Sequence, residues 1–272
     1  MKYFIAIMLV WSLCSTKRAL ADHQQILVAI DHAPPYSALD DKGNAKGLIL
    51  DILNYIKHHS DEDIAVKAVP CPFSRCIRML AQGEVDVMGG LVRTVDREQQ
   101  MTFVTPPYMA LSSSYVFYGH QHSQISVQRY EDLIGKRIAI MRGAAFFPRF
   151  DQDTRLDKVE VPSERVAVDL VLKGRVDLVI AVEDTADLAM NVLAQPAHQL
   201  KKMDYRHTQV IYGHMAMSRS FAQSQVGQAF SEHMRKMAKN KVLDKLVAPY
   251  QLPAIPPQLL SEEAGSTQTR TF

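Results

Sequence analysis

Two cysteines, Cys71 and Cys76, are separated by four residues in the segment CPFSRC. A close pair of thiols can form a disulfide or contribute to a zinc site. Thiolate zinc sites generally need four ligands, however, and the sequence has no second pair at a suitable spacing. Cys14, the third cysteine, lies in a segment that we expect to be removed on export. Because disulfides form in exported proteins, we predict a Cys71–Cys76 bond that braces the start of a helix.

Ten histidines are the other side chains that could bind a metal or move a proton. His58 with His59, and His120 with His122, are the groupings that stand out. Neither belongs to a spacing that supplies a full set of metal ligands. We therefore predict no metal site and interpret these histidines as surface residues.

The chain opens with the features of a secretory signal peptide. Lys2 precedes an apolar run at 3–13, and Ala19-Leu20-Ala21 stands just ahead of the polar Asp22. A run of about eleven apolar residues is too short to span a bilayer, for which a helix needs ~20. Lipid attachment at Cys14 is the alternative, but a leucine precedes that cysteine where a small residue is needed. We predict a signal peptide at 1–21, cleavage after Ala21 and a mature protein in the periplasm.

The mature chain is nearly neutral. Cleavage removes three of the 31 basic residues and none of the 29 acidic ones, which leaves 28 against 29. Such a balance has no electrostatic footprint for nucleic acid, so we exclude a nucleic-acid partner. The hydrophobic content of 47% is typical of a globular protein.

The elements that must position these side chains alternate between strand and helix. Strand-like and helical runs follow one another at 26–30, 48–56, 64–69, 75–81 and 85–88, which predicts an α/β fold. The pattern restarts near residue 132. Two similar segments, MLAQGEVDVMGG at 79–90 and VLKGRVDLVIAV at 171–182, each read helix, glycine, Val-Asp and strand. We therefore expect two similar lobes, the first at 22–112 and 210–252 and the second at 113–209, followed by a disordered tail at 253–272.

Over residues 25–252 the chain resembles the family 3 extracellular solute-binding proteins, the amino-acid-type periplasmic receptors of ABC importers. The resemblance rests on a series of motifs in the family's order. They are APPY at 33–36, Gly47 with Asp51, GEVDVMGG at 83–90, RTVDREQQMTF at 93–103, TPPY at 105–108 and DLIGKRIAIMRG at 132–143.

The resemblance implies a two-lobed α/β fold, each lobe a mainly parallel sheet flanked by helices. Two crossing strands, which we place near 109–115 and 205–213, would form the hinge. It also implies a monomer without a cofactor that captures a small, carboxylate-bearing, amino-acid-like solute and catalyses no reaction. The loaded protein would be presented to an ABC permease or a membrane sensor.

Residue by residue, the resemblance assigns a binding site. Arg97, in the family's Thr-x-x-Arg pattern with Thr94, is expected to clamp the carboxylate, because a guanidinium is a rigid charged fork that matches a carboxylate. Phe73 and Tyr36 match aromatics that wall the ligand. The remaining candidates are Arg75, as a second cation suited to a ligand with two acidic groups, Gly90 in the first lobe, and Arg142, Gly143 and Glu183 in the second.

The pattern departs from amino-acid receptors at the positions that hold the ammonium group. A hydroxyl and an acid are common there, and this chain has Val92 and Val182, with Glu183 one residue further on. Two alternatives therefore stay open: a periplasmic enzyme of the cyclohexadienyl-dehydratase type on the same fold, and a ligand-sensing protein without a transporter.

Overall fold

A computed structural model describes residues 24–60, 63–183, 186 and 197–257. The predicted signal peptide and its cleavage site lie outside the described residues. The strands are β1 Gln24–Ile30, β2 Ala38–Leu39, β3 Ala45–Lys46, β4 Ile64–Pro70, β5 Val87–Leu91, β6 Thr102–Phe103, β7 Met109–His120, β8 Arg137–Met141, β9 Asp157–Val161, β10 Leu178–Val182 and β11 Leu200–Met217. The α-helices that the structure describes in full are α1 Leu48–His59, α2 Phe73–Gln82, α3 Val95–Glu98, α4 Pro148–Gln152, α5 Glu164–Leu172, α6 Arg219–Gln223, α7 Gln225–Lys239 and α8 Val242–Val247.

The main sheet has the strand order β4-β1-β5-β11-β7-β10-β8-β9, with β6 paired to β11. In the first lobe β1 is parallel to both β4 and β5. In the second lobe β8 is parallel to both β9 and β10. The two long strands β7 and β11 are antiparallel to each other and lie between these two parallel sets. Each lobe is thus a mainly parallel α/β unit, as the sequence predicts.

The aspartate of the repeated Val-Asp segment accepts an equivalent hydrogen bond in both lobes. Asp86 accepts a hydrogen bond from the backbone N–H of Leu27 in β1, at 2.8 Å. Asp177 accepts one from the backbone N–H of Arg137 in β8, at 2.7 Å. The carboxylate therefore ties the turn after each helix to the central strand of its lobe.

Helices cover both faces of the first-lobe sheet, and alternate residues of β1 point to opposite faces. Ile26, Val28 and Ile30 belong to a core cluster that also contains residues of α1 and of the C-terminal helices α7 and α8. Ala29 belongs to the other cluster, with Phe73 and other residues of α2. Helices α7 and α8 thus complete the first lobe.

The predicted start of the disordered tail, residue 253, lies ahead of residues that are packed in the structure. Ile255 is buried with the first-lobe core, and its backbone N–H donates to Asp244 Oδ1 at 3.0 Å. An apolar side chain that covers the C-terminal helices keeps this stretch packed although it is rich in proline. The rest of the predicted tail, 258–272, lies outside the described residues.

The predicted hinge strands form a continuous antiparallel pair. Met109 faces Gly213, Ser114 faces Thr208, and the pairing continues to Val116 opposite Arg206. The predicted lobe boundaries near 112 and 210 fall inside β7 and β11, and both strands contribute to both lobes. A bend of these two strands is therefore the simplest way to move one lobe relative to the other.

Candidate ligand-binding cleft

A cavity of about 220 Å³ lies where the two lobes and the two hinge strands meet. Backbone and side chains of both lobes border it. The lining residues are Asp31, Ala33, Tyr36, Ser37, Ile49, Phe73, Gly89, Gly90, Leu91, Val92, Arg97, Tyr108, Met109, Leu111, Tyr115, Met141, Ala144, Ala145, Phe146, Glu164, Val182, Ile211, Tyr212 and Gly213. A solute in this cavity would contact both lobes at once.

Arg97 crosses from the first lobe to the second. Its guanidinium donates from Nη1 to the carbonyl of Val92 at 2.6 Å and from Nη2 to the carbonyl of Gly143 at 2.7 Å. Only 8% of the residue is exposed. A guanidinium has five N–H donors, so these two bonds leave others to meet an anion in the cavity. The side chain is therefore placed to hold a carboxylate between the lobes.

The electrostatics of Arg97 favour an incoming anion. Burial lowers the pKa of Arg97 to about 10, while the negative charge of Asp151 partly opposes this effect. The group stays protonated at neutral pH, but its charge is poorly solvated. A bound carboxylate would supply the stabilisation that water no longer gives.

Thr94 acts through Arg97 and does not itself line the cavity. It is the N-cap of α3, and its Oγ1 accepts the backbone N–H of Arg97 at 3.3 Å. The Thr-x-x-Arg spacing therefore aims the arginine by starting a short helix three residues ahead of it. Thr94 instead borders a second, larger groove of about 510 Å³, which Arg97 also lines.

Phe73 and Tyr36 both line the cavity, as the resemblance implies. Phe73 is the first residue of α2 and lies inside the loop closed by a Cys71–Cys76 disulfide, with an S–S distance of 2.04 Å. The predicted disulfide is confirmed. It holds the start of the helix that carries the aromatic wall.

Two glycines occupy backbone conformations that favour glycine. Gly90 lines the cavity with φ +77°, and its backbone is hydrogen-bonded to the hydroxyl of Tyr108. Gly143 has φ +80°, and a Cβ there would lie 3.5 Å from Ser74 Cβ of α2. Gly143 thus reaches Arg97 through its carbonyl at a point of close approach between the lobes.

Five predicted residues do not line the cavity: Thr94 and Gly143, which contact Arg97 from outside it, and three charged residues. Arg75 is exposed on α2 and does not line it. Arg142 is exposed and its Nε donates to Glu160 at 3.2 Å. The carboxylate of Glu183 pairs with Lys202 at 2.6 Å and Arg206 at 3.2 Å. Two cations of the hinge strand β11 thus hold the carboxylate of this candidate residue outside the cavity.

Several lining residues could not be recognised from the sequence. Tyr115 is a buried aromatic on β7, and Tyr108 is a buried aromatic just before that strand. Phe146 lies between β8 and α4 in the second lobe. Aromatic residues are usually core packing, so their types alone do not mark a site.

Two acids also line the cavity, Asp31 directly after β1 and Glu164 at the start of α5. Desolvation raises the pKa of both carboxyl groups, and the negative charge of Asp31 contributes to the rise at Glu164. No motif singles out either acid in the sequence, since only folding brings β1 and α5 to one cavity.

Within the part of the chain that the structure describes, no group of three or more histidine, cysteine or acidic residues could hold a metal ion. No described helix is both long and apolar enough to pass through a membrane.

The comparison with known protein families decides the relationship. Residues 26–252 match the model of the bacterial extracellular solute-binding proteins, family 3. The chain belongs to this family. No curated protein sequence is significantly similar to the chain.

Solved structures share the fold at low sequence identity. A mutant of ArgBP from T. maritima superposes with a TM-score of 0.69 at 20% identity, over 84% of this chain and 95% of that one. A histidine kinase sensor domain with similarity to periplasmic binding proteins gives 0.71 at 20% identity, over 86% and 99%. The substrate-binding protein of an amino acid ABC transporter gives 0.66 at 18% identity, over 83% and 98%. At these identities the likeness establishes the two-lobed fold of this family member and leaves its ligand to be argued from the site.

Proposed function

We propose that this family member captures a small, carboxylate-bearing, amino-acid-like solute in the periplasm and presents it to a membrane partner. The observation that carries the proposal is the position of Arg97. It is a buried cation of the first lobe that lines the interlobe cavity and reaches Gly143 of the second lobe at 2.7 Å. An anion bound there would be held between the lobes.

The position of Arg97 between the lobes explains how a bound solute would close the cleft. A ligand shifts an open–closed equilibrium only by as much as it binds the closed state more tightly. A carboxylate on Arg97 touches the first lobe in either state, whereas contacts to Ala144 and Phe146 of the second lobe exist only when the cleft is shut. The solute therefore stabilises the closed form, and β7 with β11 accommodates the motion.

The aromatic walls define the space beside the carboxylate. Phe73 and Tyr36 come from the first lobe, and Tyr115 comes from the hinge. The cavity of about 220 Å³ suits a molecule of amino-acid size better than a drug-sized ligand, for which pockets of ~300–1,000 Å³ are usual.

The membrane partner is an ABC permease or a sensor. Among the similar structures are both the substrate-binding protein of an amino acid ABC transporter and a histidine kinase sensor domain. The genes next to this one discriminate between the two: permease and ATPase genes indicate transport, and a kinase gene indicates sensing.

A thermal-shift screen tests the proposed function. Mature protein stripped of carried-over ligand by mild unfolding is screened against amino acids, monocarboxylates and dicarboxylates, since a ligand that binds only the native state raises the melting temperature. We expect Arg97→Lys to lose the response, because a lysine lacks the planar fork. Arg75→Lys is the matched control and should keep it, since Arg75 is exposed outside the cavity. A response that Arg97→Lys retains contradicts the assignment.

The screen also separates a receptor from an enzyme. Any hit is incubated with the protein and recovered, and NMR spectra are recorded before and after. An unchanged compound supports capture without catalysis. A compound that is consumed favours the dehydratase-type alternative.

A further inference from the structure

The ring of His207 stacks on the ring of Phe147. His207 lies on the hinge strand β11, and the two ring centroids are 3.9 Å apart with an interplanar angle of 11°. Phe147 is fully buried and ends the loop 143–147, which lies between β8 and α4. Residues 144–146 of this loop line the interlobe cavity. A hinge residue thus packs on the buried end of a loop that borders the cavity.

Two further contacts tie His207 to the hinge. In the pairing of β7 with β11 it lies opposite Tyr115, which lines the cavity and whose ring centroid is 5.7 Å from that of Phe147. Nε2 of His207 lies 3.3 Å from Oε1 of Gln209, and the side chain of Gln209 also hydrogen-bonds to Tyr115. Phe147 is therefore packed against side chains of both hinge strands.

The loop 143–147 also carries the second-lobe partner of Arg97. The carbonyl of Gly143 accepts a hydrogen bond from Nη2 of Arg97 at 2.7 Å, and Ala144 and Phe146 line the same cavity as the guanidinium. A shift of Phe147 would move these groups, because they lie within a few residues of it along the chain. The second-lobe side of the proposed site therefore depends on the stack.

A positive charge on His207 is unfavourable in this position. Burial lowers the pKa of the imidazole and the charge of Arg149 on α4 lowers it further, whereas the contact with Gln209 acts in the opposite direction. The face of Phe147 attracts a cation as well, but burial is the largest influence on the pKa. Tyr115 supplies no compensating charge near neutral pH, because burial raises the pKa of its hydroxyl. The neutral imidazole therefore fits the stack better than the imidazolium does.

Other ionisable groups surround the stack and the loop. Arg149 pairs with Glu131 and lies 3.7 Å from the centre of the Tyr130 ring. On α4, Asp151 accepts a hydrogen bond from the backbone N–H of Phe146 at 3.0 Å, and burial raises the pKa of its carboxyl group. Titration of Asp151 can therefore also act on the loop, so an experiment must separate it from His207.

We propose that His207 is a positioning residue of the solute site: its neutral ring holds Phe147 and the loop 143–147 in place, and protonation of the ring loosens the second-lobe side of the cavity. This inference rests on the proposed function and adds control by pH through a residue that does not itself line the cavity. The packed arrangement favours the neutral imidazole. The loop is therefore held firmly above pH ~6.5, the ordinary pKa of histidine, and loosens as the pH falls below that value.

NMR spectroscopy of the ligand-free mature protein tests the inference. The ring of His207 and the backbone amides of Ala144, Ala145 and Phe146 are followed from about pH 8 to about pH 5, across the range in which histidine titrates. We expect the loop amides to shift with the same midpoint as the His207 ring, below ~6.5. After correction for the intrinsic pH dependence of exchange, they should lose protection from hydrogen exchange as the pH falls through that midpoint.

Four variants assign the effect. His207→Phe keeps a ring that can stack but cannot take up a proton, so the loop amides should keep their protection across the range. His207→Ala removes the stack and should lower the protection already at about pH 8. Asp151→Asn cannot ionise but can still accept the N–H of Phe146, and it should retain the midpoint that belongs to His207. His58→Phe is the matched control and should titrate as the wild type does, because His58 is exposed on α1 of the first lobe.

The inference is overturned if the loop amides of the wild type do not follow the titration of the His207 ring, a result that needs no variant to fold. It is overturned equally if His207→Phe shows the wild-type pH dependence, or if Asp151→Asn abolishes that dependence. None of these measurements involves a solute. A thermal-shift response that Arg97→Lys retains would therefore contradict the proposed function separately, and leave the coupling between His207 and the loop standing.

Discussion

Replacing Arg97 with methionine should separate binding from stability. The side chain keeps its apolar stem but loses the fork that we assign to the carboxylate. Two hydrogen bonds between charged groups contribute ~1.5–3 kcal/mol each, so their loss should raise Kd about 10²–10⁴-fold. The assay is calorimetric titration with the carboxylate that raises the melting temperature most.

Arg97→Met should change the stability of the unliganded protein much less than it changes ligand affinity. Burial lowers the pKa of Arg97 to about 10, which corresponds to roughly 3 kcal/mol of unfavourable free energy for the buried cation. The hydrogen bonds to the carbonyls of Val92 and Gly143 offset a similar amount. We therefore expect the free energy of unfolding without ligand to change by less than about 2 kcal/mol, measured by urea denaturation.

Arg142→Met is the control, since Arg142 is exposed and pairs with Glu160 outside the cavity. It should leave Kd unchanged. A folded Arg97→Met protein that binds the same carboxylate within about threefold of the wild type would refute the role given to the guanidinium.

Three further outcomes follow from the packing. Gly89→Ala places a Cβ 2.2 Å from Ile49 Cδ1 and both residues line the cavity, so we expect a loss of ~1–3 kcal/mol in denaturant unfolding and weaker binding. Unchanged stability would show that Ile49 moves aside freely. Burial lowers the pKa of His214 to about 4, below its unfolded value of ~6.5, so the unfolded state binds the proton and stability falls as pH drops from ~6.5 to ~4. His214→Gln should flatten this dependence, which amounts to roughly 3 kcal/mol, and an equally steep profile in the variant would assign it to other groups. Reducing Cys71–Cys76, or the variant Cys71→Ser with Cys76→Ser, opens a small loop and should cost about 2 kcal/mol, or ~4–8 °C in melting temperature. Ligand affinity should fall as well, and no change in either quantity would contradict a bracing role.

The family could be recognised from local sequence motifs. Thr94 and Arg97 are three residues apart, and the threonine side chain caps the short helix that carries the arginine. The disulfide was predictable for the same kind of reason, since Cys71 and Cys76 are close in the chain and need only one turn to meet.

The other half of the site was not predictable in this way. The second-lobe candidates Arg142 and Glu183 are adjacent in sequence to residues that line the cavity. Both side chains nevertheless pair with charged residues of other strands. Whether a charged side chain faces a cavity or a neighbouring cation depends on the relative position of strands, which no local motif encodes.

The sequence by itself determined the α/β alternation, the repeated Val-Asp turns and the helix that Thr94 caps ahead of Arg97, because each depends on residues within a few positions of one another. Tertiary structure alone decided the charge of the cavity. Asp31 and Glu164 are separated by more than a hundred residues and belong to different lobes, yet both line the cavity that lies beside β7 and β11. The lining of the cavity therefore depends on the packing of the two lobes, since its residues come from distant parts of the chain.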